Sequence, residues 1–529
     1  MATTVGEQRH GPSNPAAIDA ALVQRLVGSV TAGARPERHT TVAPWTGEAL
    51  AELPLSTPAD VATAYDVASS AQQAWARRSL ADRARVLLRY HDLVLERQSE
   101  VLDLIQLETG KARKHAFEEV GDVAIVSRHY GLSAQRYLRP RRRPGLIPIA
   151  TRVDELHHPR GVVGIISPWN YPLTLAVSDA LPAFLAGNAV VLKPDSQTAL
   201  TALWAHQLLV EAGLPEGLWQ IVVGDGPVLG PAIVDGADYV MFTGSTRVGR
   251  EIAKQAGERL IGCSLELGGK NPFLVLDDAP LGRAAEAAVR ACFSTAGQLC
   301  VSMERMLVAE SIYEAFMGRF LRRVRALRLG AGLDFSADMG SMVSAHQLDV
   351  VSRHVEDARA KGAQVLAGGR ARPDIGPLFY DPTVLTGTTK EMEVCADETF
   401  GPVVSVFSVR DDDEAVARAN DSDYGLNAAV WSGDLARGRR VAARIEAGTV
   451  NVNEAYGAAW GSVAAPMGGV KASGIGRRHG VEGILKYTET QTIATQRFFG
   501  IGAPPHVSDE AWTRVFTAGL RAMKAVRRR

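Results

Sequence analysis

The chain has 529 residues, with Lys+Arg 58 exactly balanced by Asp+Glu 58, and with 46% hydrophobic and 22% charged residues. At roughly 100–200 residues per domain this length implies two to four domains, and the composition excludes wholesale disorder. Zero net charge offers no field to nucleic acid or an anionic membrane, and four cysteines are too few for a disulfide framework and fit a reducing compartment.

The opening MATTVGEQRHGPSNP has neither a basic patch nor an apolar stretch, so no signal peptide is expected, and residues 1–20 read as a flexible arm. No run reaches the ~18 apolar residues of a membrane span, so a cytoplasmic protein without stable membrane insertion is expected. From Pro58 to Tyr137 apolar residues recur at three- and four-residue spacing, the pattern of helices. Two prolines close that region at Arg139–Pro144, whose triple arginine reads as a solvated connector.

From Gly161 to Leu276 short apolar runs alternate with helical segments. Strands are expected at 161–166, 189–192, 219–223 and 239–242, and helices at 173–185, 198–212 and 247–257. Runs that are apolar throughout belong to strands buried on both faces, which defines an α/β fold around a parallel sheet. Ligands bind beyond the carboxyl ends of such strands, where Pro168-Trp169-Asn170, Lys193-Pro194 and Thr243-Gly244 fall. A second α/β series spans 271–453, followed by a strand at 490–496 and a Gly/Pro-rich linker. In the tail, Trp512, Val515, Phe516, Leu520 and Met523 keep helical spacing after a Ser508 cap, and Arg527–Arg529 make the far end basic. An amphipathic helix docked on the protein's own core or on a neighbouring subunit is expected.

Four constellations carry chemistry. In Ser294-Thr-Ala-Gly-Gln-Leu-Cys300 a cysteine follows a helix end in a turn of small and polar residues; a reactive thiolate and an inert buried thiol both fit. Cys263 is a weaker nucleophile candidate, and Cys292 and Cys395 read as structural. Glu266-Leu267-Gly-Gly places a carboxylate beside two glycines that permit close backbone approach, an environment that raises a carboxyl pKa toward that of a general base. Phe242-Thr-Gly244-Ser245-Thr-Arg-Val-Gly249 is a strand-to-helix turn able to cradle phosphate on backbone N–H groups. Glu398-Thr-Phe400-Gly-Pro402 is a rigid turn that presents a carboxylate for ribose hydroxyls and an aromatic ring for a flat group.

These segments, with Pro168-Trp-Asn170, Lys193-Pro194 and Pro466-Met-Gly-Gly-Val-Lys471, stand in the order and spacing of the aldehyde dehydrogenase superfamily, which the chain resembles over about residues 40–500. Within it, Leu192–Thr198 and Ala371–Tyr380 make the chain most like NADP-dependent succinate-semialdehyde dehydrogenases. The resemblance implies a Rossmann-type cofactor domain (21–144 and 161–267), a catalytic domain (268–477), oligomerisation strands (145–160 and 483–498) giving a homodimer or homotetramer, and a linker and tail (499–529). It implies that Cys300 attacks the aldehyde, that the Asn170 side chain and Cys300 N–H hold the oxyanion, and that Glu266 activates the water that hydrolyses a thioester. NADP or NAD would be held by Trp169, Lys193, Ser196, Gly244, Ser245, Gly249, Leu267, Glu398 and Phe400, NADP being preferred because Ser196 is small and neutral; no metal is implied.

For the substrate, Ser178 stands eight residues after Asn170, where several succinate-semialdehyde enzymes have arginine, and Ser302 stands where a second cysteine can follow the nucleophile. Tyr171, Ser178 and Trp460 are expected to line the substrate tunnel. Succinate semialdehyde is the first substrate to consider, an aliphatic or aromatic aldehyde the second; a Cys-dependent esterase and a catalytically silent relative are the remaining alternatives.

Overall fold

The structure, a computed structural model, describes residues 18–147 and 150–525. Its first sheet runs Gly474–Ile475, Gly262–Glu266, Tyr239–Thr243, Val162–Ile166, Ala189–Lys193 and Trp219–Ile221, parallel throughout except at the Gly474–Ile475 edge. The central strands are the continuous apolar runs noted in the sequence. Helices close both faces: Tyr65 of Pro58–Ala76 donates to the Ile233 carbonyl (2.6 Å) and Trp75 to that of Phe184 (2.7 Å). Gly164 lies in the middle strand because a Cβ there would overlap the Tyr65 hydroxyl.

The second sheet orders Gln364–Ala367, Thr383–Thr386, Val403–Val409, Met303–Ala309, Asn271–Val275, Asn427–Trp431 and Thr449–Val452, antiparallel only at its first pair. A third, antiparallel sheet joins Thr488–Gln496, Thr151–Pro159 and Arg141–Arg143. The triple arginine is therefore an edge strand and not a connector: its register sets Arg141 against Glu155 and Arg143 against Val153, and Arg143 Nε donates diagonally to the Glu155 carboxylate (2.7 Å). The sheet also begins at 141 and 488, earlier and later than the expected bounds.

The expected helix at 173–185 is two, Pro172–Val177 and Ala180–Ala186, with Ser178-Asp179 between them. Pro182 explains the break: it lacks an N–H and is tolerated only in a first turn, so a helix has to restart just before it. The helix Gly226–Gly236, whose glycines and internal Pro231 hide its pattern, was not legible in the sequence. The tail helix Asp509–Ala525 forms, with Trp512 against Phe499 (5.6 Å) and its indole N–H on the Ile501 carbonyl (2.5 Å). It buries none of its residues, so the expected docking on the protein's own core does not occur. Most of the N-terminal arm (1–17), Pro148-Ile149 and the final Arg527–Arg529 lie outside the described residues. No described helix is long and apolar enough to cross a membrane.

Candidate active site

Cys300 is reached through a costly stretch of backbone. The helix Leu281–Phe293 ends, and Thr295, Ala296 and Gly297 then all take positive φ (53°, 53° and 71°). The left-handed region costs roughly 1–2 kcal/mol at each of the two non-glycine positions, so neighbours have to hold it. Thr295 N–H donates to His115 Nδ1 (3.1 Å), and the Thr295 and Tyr171 hydroxyls are bonded at 3.1 Å. Burial drives the His115 pKa down to about 3, which keeps the imidazole neutral and able to accept. A Cβ on Gly297 would overlap the Gly401 carbonyl, so the cysteine loop packs directly on the Glu398–Pro402 turn.

Two cavities meet at this cysteine. One, of about 260 Å³, is lined by Trp169, Asn170, Gly244, Ser245, Glu266, Leu267, Cys300, Glu398 and Phe400, with Thr243, Gly268 and Gln347 among its other walls. The other, of about 30 Å³, lies between Cys300, Asn170, Tyr171, Tyr456, Trp460, Met467 and Arg478. Cys263, Cys292 and Cys395 line neither.

Glu266 ends the strand Gly262–Glu266 and is buried, with Oε1 making no hydrogen bond. That burial pushes its pKa up to about 7, against the pull of Arg478 and Lys486. The Cys300 thiol is pushed up to about 12, mainly by burial and then by Glu266, so it needs a base to ionise it. The paired glycines after Glu266 have distinct duties. A Cβ on Gly268 would overlap the Glu398 carboxylate, and Gly269 N–H donates to Glu398 (2.9 Å). Glu398 is pushed up to about 8 by burial and by Glu304. Its turn is held from behind by the buried Lys270–Glu304 pair, with Glu304 accepting from the N–H groups of Thr399 (3.0 Å) and Phe400 (2.9 Å). Trp169 and Phe400 face each other edge-on across the cavity, 5.5 Å apart.

Asn170 is fixed by groups that carried no signal in the sequence. Its Nδ2 donates to the Gln298 carbonyl (3.1 Å), while its own carbonyl accepts from Lys111 Nζ (2.6 Å). Lys111 pairs with Glu119 (2.7 Å), both side chains being fully buried, and Glu119 accepts from the N–H groups of Leu173 (2.8 Å) and Thr174 (3.1 Å). The pair thus clamps both sides of the Asn170 turn. Removing one charge would strand the other, whereas replacing both is often tolerated. The double variant Lys111→Met/Glu119→Gln is expected to stay folded and bind cofactor, with kcat lowered on the order of 10-fold through a loosened Asn170. Steady-state kinetics beside a thermal melt check this; an unaltered kcat would show that the clamp does not matter.

The remaining sequence candidates divide. Ser245 caps the helix Thr246–Glu258 by accepting from Val248 N–H (3.4 Å), and with Gly244 it lines the larger cavity, which brings the start of that helix to the cavity wall. Gly249 packs on Leu267 and lies outside the cavity lining. Lys193 and Ser196 also lie outside it: Lys193 Nζ donates to the Pro194 carbonyl (3.2 Å) and Ser196 to that of Gly224 (3.2 Å). The Asp195 carboxylate is occupied in capping its own turn (Gln197 N–H, 3.0 Å). Tyr171 and Trp460 line the smaller cavity, their rings 5.9 Å apart. Ser178 does not line it, because its hydroxyl turns inward to Asp122 (2.6 Å). Tyr456, Arg478 and Gln347, unmarked in the sequence, also line these walls, as does Met467 of the Pro466–Lys471 segment.

A thiol, a buried carboxyl and an amide thus surround one cavity, beneath a turn that offers a carboxylate and an aromatic ring. The chain belongs to the aldehyde dehydrogenase family, whose model matches residues 31–493. Among relatives, it is 52% identical over 96% of its length, and 98% of the other's, to a Mycolicibacterium smegmatis protein with the provisional name succinate-semialdehyde dehydrogenase (NADP(+)). It is 38% identical over 88% of its length, and 97% of the other's, to the succinate-semialdehyde dehydrogenase (NADP(+)) of Deinococcus radiodurans. Among solved structures it resembles an aldehyde dehydrogenase from Brucella melitensis (TM-score 0.86, 32% identity, 92% of this chain and 100% of that one). It likewise resembles betaine aldehyde dehydrogenase from Staphylococcus aureus in complex with NAD+ (TM-score 0.84, 31% identity, 90% and 96%).

Proposed function

We propose that the protein oxidises succinate semialdehyde to succinate with NADP, through an acyl-enzyme on Cys300. The observation that carries this reading is the meeting of two cavities at Cys300, beside a carboxyl group whose pKa lies near neutrality. Glu266 accepts the thiol proton, and the thiolate sulfur forms a bond to the aldehyde carbon. The oxygen that gains charge is held by Asn170 Nδ2 and the Cys300 N–H. After oxidation to the thioester Glu266, having passed its first proton to solvent, takes a proton from water, whose oxygen attacks the carbonyl carbon; the carbon–sulfur bond breaks, the sulfur takes that proton from Glu266, and the acid leaves.

The larger cavity suits the nicotinamide end and pyrophosphate of a dinucleotide, with Lys193 and Ser196 outside it. A Cβ on Gly244 would overlap the Phe242 ring, so only backbone borders the helix start at Ser245, an arrangement suited to phosphate. Glu398 would take the nicotinamide ribose, and Trp169 and Phe400 would frame the ring. When bound, the cofactor supplies the hydride acceptor. The small neutral Ser196 and the cation of Lys193 favour NADP, as the names of the relatives do, and the capping of Asp195 removes a carboxylate that would oppose it. The small second cavity favours a short aldehyde over an aromatic one. The exposed nine-residue edge Thr488–Gln496 supports pairing with a second copy, as a homodimer or homotetramer.

The test is reduced-nicotinamide absorbance with succinate semialdehyde, short aliphatic aldehydes and benzaldehyde, each with NADP and NAD. The highest kcat/KM is expected for succinate semialdehyde with NADP. A higher value for an uncharged aldehyde would overturn the substrate, and one for NAD the cofactor.

A further inference from the structure

Among the described residues that line the smaller cavity, Arg478 is the single charged one. Its backbone is pinned by reciprocal hydrogen bonds with Met467, another wall residue (N to O 2.7 Å and 2.8 Å). The guanidinium is buried, one Nη pairs with Asp179, and Nε has no partner. Asp179 is not Arg478's alone: Lys486 Nζ reaches its other oxygen at 3.2 Å, and the Tyr487 hydroxyl lies at 3.4 Å. Two buried cations thus share Asp179, and the further acids that act on Arg478 are Glu266, which the reaction uses, and Asp122, which also accepts from Ser178 (2.6 Å). The Nε donor has no acceptor among the described residues, and a buried donor of this kind is costly unless something pairs with it.

We propose that Arg478 is the specificity-determining residue of this enzyme, receiving the distal carboxylate of a short aldehyde acid whose carbonyl carbon lies at Cys300. In succinate semialdehyde three carbon–carbon bonds of about 1.5 Å separate the two groups, and Cys300 and Arg478 line the same small cavity. The apolar walls of Leu175, Met467 and Trp460 match the methylene groups between them. Arginine presents several donors in one plane and accepts a carboxylate while keeping Asp179. The proposal rests on the reading that the aldehyde adds to Cys300.

The experiment compares kcat/KM for succinate semialdehyde and for butanal, which has the same chain length and no charge, in the wild type, Arg478→Met and Arg478→Lys. Removing Arg478 leaves Asp179 paired one-to-one with Lys486, so the methionine variant keeps a balanced core, and the lysine variant keeps the charge. Both substrates are expected to suffer in Arg478→Met, but the semialdehyde-to-butanal ratio should fall on the order of 100-fold, mostly through KM. Arg478→Lys should lower the ratio by less, and its result stands if the methionine variant fails to fold. A wild-type preference for the semialdehyde that survives in the folded variants would overturn this proposal alone. No preference in the wild type would overturn the substrate reading, and this proposal with it.

Discussion

Cys300→Ala is expected to lower aldehyde oxidation by on the order of 10³-fold or more while cofactor binding persists. Cys300 lines both cavities, as Asn170 does, and no other described cysteine lines either of them. Loss of Sγ should barely affect the fold, since the left-handed stretch before it is held through Thr295 and Gly297. Binding is read from the fluorescence of Trp169, which borders the larger cavity. Substantial oxidation by the variant would remove Cys300 from the mechanism and turn attention to Cys263, in the strand Gly262–Glu266 of the first sheet.

Glu266→Gln is expected to slow both halves of the reaction. The amide has nearly the same shape but can take a proton from neither the thiol nor water, so reduced cofactor should form slowly, without a burst, and mass spectrometry should find no accumulated acyl-enzyme; a full burst followed by slow turnover would limit Glu266 to the hydrolytic step. The pH profile supplies an independent check. The general base works as the carboxylate, and burial holds this carboxyl at about 7. Wild-type kcat should therefore rise with pH through about 7 and level off above it, and that limb should be missing in the variant. If kcat stays flat between pH 6 and 8 in the wild type, Glu266 is not the limiting base.

Much of this was legible because the signals are local. Gly268 and Gly269 stand out in the sequence, and the reason is found within a few ångströms, where the Glu398 carboxylate occupies the space of a Cβ. The parallel sheets were readable for the same reason, since strands buried on both faces have little choice but to be apolar. Lys111, Glu119 and Arg478 gave no such sign. Each is an ordinary charged residue on a helix or in a turn, and its role exists only once a partner from far along the chain arrives. The helix Gly226–Gly236 was missed because glycine and proline there oppose local propensity and tertiary packing overrides them. The break at Ser178-Asp179 misled for a related reason: apolar periodicity continues across it while Pro182 forces a restart.

The pairing of Arg478 with Asp179 spans 299 residues, and this separation bears on how the enzyme comes into being. During synthesis the thiol of Cys300 leaves the ribosome long before Glu398 and Arg478, the groups that complete its surroundings. Until they arrive the thiol is not yet buried and ionises as an ordinary cysteine does; burial, Glu266 and Glu398 push it up only once the site has closed. A nascent or truncated chain ending before the Arg478 turn would therefore hold a more readily ionised thiol without the groups that direct it, and completing the fold is what quiets the cysteine until a substrate enters.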